Sequence, residues 1–142
     1  MRTKQFYLTL GIIFLLVAGS ACSASFSTAN MSSLKLGKEK PVSNEVSSFG
    51  HNDTIYATAV ISNNPGTVKV KGHLIIEDVA GQKPGPIPGL EFTVEMPSSG
   101  DANFTFTPPT NSWPSGKYKF EAQMLDEDGQ QKEQKSVSFT IS

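Results

Sequence analysis

Cysteine is nearly absent from this chain: Cys22 is the single one in 142 residues. One thiol excludes an internal disulfide and cannot supply a multi-thiolate metal cage. Histidine is almost as scarce, with only His51 and His73, which leaves little material for a His-based metal site or catalytic triad. The longest apolar run, Phe6 to Ala18, is about 13 residues, against roughly 20 for a helix that spans a bilayer. G-x-S-x-G, Walker-type and G-x-G-x-x-G patterns are missing, so the common serine-hydrolase and nucleotide signatures are excluded. Heptads, long charge runs and repeats of 20–50 residues are missing too.

What is present begins with a secretory pattern. Arg2 and Lys4 precede the apolar run, and Gly19, Ser20 and Ala21 supply small residues for a cut between Ala21 and Cys22. The chain's 12 Lys and Arg against 13 Asp and Glu become 10 against 13 once Arg2 and Lys4 are removed, a net of −3. That mild acidity argues against nucleic acid or an anionic membrane surface as the main partner.

The stretch "LLVAGSAC" at 15–22 resembles a bacterial lipoprotein signal, in which small residues end at a cysteine. Ser20 and Ala21 fit that motif; Gly19 stands where the family usually carries Leu. The resemblance implies that the Cys22 thiol takes a diacylglyceryl group and that Cys22 becomes the mature N-terminus. The membrane is then a partner through the lipid on Cys22, and two or more acyl chains hold durably where one holds marginally. Ordinary signal cleavage near Ala21 or Ala24 is the alternative. Three segments follow: 1–21 as signal peptide, 22–33 as lipidated cysteine and flexible tether, and 34–142 as the folded domain.

From Leu34 onward the pattern is β. "GLEFTVEM" alternates Leu90, Phe92, Val94 and Met96 with Glu91, Thr93 and Glu95; "KYKFEAQM" alternates Tyr118, Phe120, Ala122 and Met124 with polar residues. "SVSFTIS" and "VKVKGHLIIE" behave alike, and "TIYATAVI" is read with Ile55, Ala57, Ala59 and Ile61 inward. A period of two predicts antiparallel strands with one buried and one wet face. "NNPG" and "EDG" supply turns, and "GQKPGPIPG" at 81–89 is expected to be an exposed loop. The fold class is therefore all-β: an antiparallel sandwich of seven to eight strands.

"NSWPSGKYKFEA" sharpens this. The Trp-Pro-x-Gly turn before a strand whose first inward residue is Tyr118 resembles the tyrosine corner of immunoglobulin-like and fibronectin type III modules. In that resemblance Trp113 plugs the core, Pro114 fixes φ, Gly116 permits the bend and the Tyr118 hydroxyl bonds to upstream backbone. Residues 45–142 are also similar to Ig-like modules of bacterial envelope proteins, including the Ig-like part of the flagellar hook-capping protein. These are folding motifs, and such folds host many functions.

Candidate sites are few. Glu91 and Glu95 share a wet face, "DEDG" at 126–129 reads as a hairpin rather than a calcium loop, and both histidines are expected at the surface. In an Ig-like sandwich the third and sixth strands are neighbours, so Lys69, Lys71, Lys117 and Lys119 are a candidate cationic surface for an acidic envelope protein or polymer. The sequence calls for no cofactor, no metal and no enzymatic role. It points to an extracytoplasmic, lipid-anchored, Ig-like binding or structural module. An inhibitor using the 81–89 loop, with Pro84, Pro86 and Pro88 stiffening it, is the alternative.

Overall fold

The computed structural model describes residues 28–142, so the signal segment, its cleavage site at Ala21 and Cys22 itself lie outside the described residues. Eight strands follow in order: β1 (Asn30–Gly37), β2 (Ser48–Phe49), β3 (Ile55–Ser62), β4 (Val68–Val79), β5 (Gly85–Met96), β6 (Gly100–Phe106), β7 (Gly116–Leu125) and β8 (Gln131–Ile141). They form two sheets, β1-β3-β6 and β2-β8-β7-β4-β5. Pairing is antiparallel except for the two-residue β2, which runs parallel to β8 with Ser48 opposite Thr140. The chain is thus an Ig-like β-sandwich, in which β4 and β7 pair at the centre of the larger sheet although they are distant in sequence.

Alternation builds the core. Ile55, Ala57, Ala59 and Ile61 of β3 face Val70, Leu74, Phe120, Ala122 and Met124 of the larger sheet, all buried. Burying a side chain such as Phe120 contributes about 1.5–3 kcal/mol. The rings of Phe104 and Phe106 from one sheet meet Phe120 from the other at 5.3 and 5.7 Å. Gly72 makes this approach workable, because a Cβ there would stand 2.7 Å from both Phe104 and Phe120.

Two expectations change. The tether expected to reach residue 33 ends earlier, since β1 starts at Asn30 and Met31 is 1% exposed. Its serines hid the strand: Ser32 and Ser33 face outward or bulge while Met31 and Leu34 enter the core. The 81–89 segment is not a free loop throughout. Gly85 and Pro86 pair with Ile76 and Ile75, and the remaining turn is closed by the Gln82 amide donating to the Val79 carbonyl at 3.1 Å. β5 is an edge strand, where prolines cost no ladder bond on the open side. A protruding nine-residue inhibitory loop is therefore replaced by a short turn.

The two sheets differ in width, and this creates the site. Three strands cannot cover five, so the inner face of β5 overhangs. Leu90 and Val94 are only half-buried, and Phe92 is 43% exposed although its ring touches Phe106 at 5.5 Å.

Candidate functional site

An apolar groove opens where β5 and β6 diverge. The Pro97–Ser99 turn holds these strands together at one end, with Met96 buried beside it. At the other end Pro108 and Pro109 stop β6 after Phe106, because proline offers no ladder donor. The result is a cleft of about 470 Å³ walled by Ile87, Pro88 and Leu90 on one side and Thr107, Pro108 and Pro109 on the other. Ile76 and Tyr118 form its floor, and Trp113 and Pro114 close the end.

The closed end is held by a clasp between two loops. The Trp113 amide donates to the His51 carbonyl at 2.8 Å, and His51 Nδ1 donates to the Trp113 carbonyl at 2.7 Å. The Trp113 indole donates to the Asp53 carbonyl at 2.8 Å, and the Ser112 hydroxyl to Asn52 at 2.6 Å. Asp53 in turn accepts from the Gly50 amide and pairs with Lys38 at 3.0 Å, which together hold its carboxyl below the ordinary carboxylate range.

The corner residues lie against this clasp. The Tyr118 hydroxyl donates to the Pro114 carbonyl at 2.7 Å, and burial pushes its pKa upward. Tyr118 also stacks on Phe139, with ring centres 5.5 Å apart. Gly116 has φ +152°, and a Cβ there would run into the Asp78 carbonyl oxygen and the Val79 side chain. Only glycine suits that bend. Trp113 is buried, as a plug at the end of the core.

The four candidate lysines do not form one patch. They share the outer face of β4 and β7, but antiparallel register sends them to opposite ends. Lys69 and Lys71 lie opposite Leu125 and Gln123, whereas Lys119 and Lys117 lie opposite Ile75 and Asp78. Acids are interleaved with them: Lys71 pairs with Glu91 at 2.9 Å, and Lys69 faces Glu95 across the ladder.

His73 departs from the surface position expected of it. It is 8% exposed, flanked by Glu91 on β5 and Glu121 on β7, and its Nε2 lies 3.1 Å from Glu121. Neighbouring side chains on both strands cover the ring, and Nδ1 has no partner. Alternation placed it on the correct face without showing how far the flanking chains shield it. His51 is exposed, but its ring is engaged in the clasp. In the 126–129 turn, Asp126 accepts from the Asp128 and Gln130 amides, each at 2.9 Å, and pairs with Lys132. Its oxygens serve the hairpin. Among the described residues no cluster of three or more His, Cys, Asp or Glu side chains could hold a metal ion.

Sequence reasoning missed the groove. One signal in the sequence pointed to it, the Pro108–Pro109 pair that ends β6 early; the number of strands on each side emerges only from the topology.

No family model matches the chain, and no curated protein matches it. Among solved structures it is similar to a Niemann-Pick type C2 protein from the Japanese carpenter ant, with a TM-score of 0.48 and 16% identity over 84% of this chain and 96% of that one. It is also similar to the soluble domain of PmoD from a Methylocystis species, with a TM-score of 0.43 and 13% identity over 83% and 94% of the two chains. The fold assignment rests on the strand order described above.

Proposed function

We propose that this chain is a lipid-anchored, non-catalytic binding module of the bacterial cell envelope, held outside the cytoplasm by Cys22, with the groove as its contact surface. The observation that carries this reading is the placement of the chain's entry point. Thr28 enters at the end of the sandwich formed by the β3–β4 turn and the β7–β8 hairpin, where its hydroxyl donates to the Asn63 carbonyl at 2.8 Å. The groove lies at the opposite end of the same strands, beside Ile76 and Tyr118.

Five residues lie between Cys22 and Thr28, and the six steps from one to the other reach roughly 20 Å when fully extended. A lipid on Cys22 therefore keeps the hairpin end near the bilayer and turns the groove away from it, toward partners. Asp126, Glu127 and Asp128 sit on the hairpin; near an anionic bilayer their charge favours standing off over lying flat. A non-catalytic role is supported by the lining itself. Its single ionisable side chain is Tyr118, whose hydroxyl is engaged by Pro114.

The test is fractionation of the native host with mass spectrometry of the mature N-terminus. The wild-type chain is expected in the membrane pellet, beginning at an acylated Cys22, and Cys22→Ser is expected in the soluble fraction. An unmodified thiol on a chain that still begins at Met1 overturns the anchor.

A further inference from the structure

We infer that the groove is a binding site for an uncharged, largely apolar small molecule. This deepens the reading above, resting on it only in taking the groove as the contact surface; the anchor plays no part.

Size is the first argument. About 470 Å³ falls within the range of small-molecule pockets, roughly 300–1,000 Å³. Incomplete coverage is the second. Ile87, Leu90 and Pro108 are half-buried, so apolar surface remains in contact with water that an apolar occupant would displace.

Charge is the third argument, and it selects the class. The lining contains no Asp, Glu, Lys, Arg or His. A charged guest would lose hydration without meeting a counter-charge. Gln82, Thr107, Asn111 and Ser112 are neutral polar residues of the lining, enough to orient a ligand through one or two hydrogen bonds. Rigidity is the fourth. The clasp at Trp113 and the prolines fix the walls before binding, so little conformational entropy is lost when the site is filled.

The probes are N-phenylnaphthylamine, which is neutral, and anilinonaphthalene sulfonate, which has the same ring system with an anionic group. Both are titrated by fluorescence into the full chain carrying Cys22→Ser, so that no attached lipid competes. The neutral probe is expected to saturate at one per chain and to bind about tenfold or more tighter than the sulfonate. Ile87→Asp is expected to weaken the neutral probe by about tenfold or more, whereas Phe92→Ser, outside the lining, leaves it unchanged. Ile87→Trp fills the groove without adding charge and must also exclude the probe, which covers the case in which the aspartate variant fails to fold. Equal affinity for the two probes, neutral binding indifferent to both Ile87 variants, or saturation by a proline-rich peptide with no neutral-probe binding overturns the assignment. Failure of the anchor would show in fractionation and leave these titrations unaffected.

Discussion

Strands β5 and β7 are written in nearly the same pattern, and both lie in the larger sheet. Tyr118, Phe120, Ala122 and Met124 of β7 are buried, while Leu90, Phe92 and Val94 of β5 remain partly in water. The difference is what lies opposite them. β7 is second-neighboured on both sides and roofed by the three-stranded sheet, whereas β5 is an edge strand beyond that roof. Period two assigns a side chain to a face; the width of the opposing layer decides whether that face is dry. The uncovered strand is the one that borders the groove.

The largest expected effect separates the two strands directly. Phe120→Ala should destabilise the domain by about 3–5 kcal/mol, as expected for a fully buried ring, while Phe92→Ala should cost less than about 1.5 kcal/mol because its ring is already 43% exposed. Urea unfolding of both variants measures the gap, and equal losses would mean that β5 is as well covered as β7. A smaller effect tests how the start of β7 is fixed. Tyr118→Phe removes the bond to the Pro114 carbonyl and should cost about 1 kcal/mol in the same assay. Equal melting of the two forms would leave the corner without an energetic role.

The smallest effect concerns the far ends of the two strands. Asp126, where β7 turns back, has its pKa lowered, chiefly by the Gln130 amide and further by Lys132. A folded-state pKa below the unfolded value of 3.8 makes its contribution complete above that value and lost as pH falls through the lower folded one. The turn after β5 uses the Ser99 hydroxyl to accept from the Asn64 amide, which carries no such dependence. Hydrogen exchange below pH 4 should therefore loosen the 126–130 hairpin before the 97–99 turn, and Asp126→Asn should remove the difference. Unchanged order of opening in that variant would assign the acid sensitivity elsewhere.

The sandwich, its inward residues on β3, β4 and β7, and the bend before Tyr118 were legible because alternation and turn chemistry are local. "NSWPSGKY" states its own geometry through Pro114 and Gly116. Three features were not local. The strand at Asn30–Gly37 was masked by its outward-facing serines, and its pairing partner β3 lies elsewhere in the sequence. The lysines of β4 and β7 shared a face on paper and separated once register was fixed. The groove belongs to no segment: it arises from a sheet of three facing a sheet of five and from prolines that halt β6 at its rim.

Gly72 gives the packing its final consequence. A hydrogen in place of a methyl group lets one phenyl ring from each sheet press against the backbone of β4. Adding even one carbon would act as a wedge between the layers, and the mouth beside Leu90 would widen with them. The closeness of the two layers is thus governed from the interior, by a residue with no side-chain carbon at all.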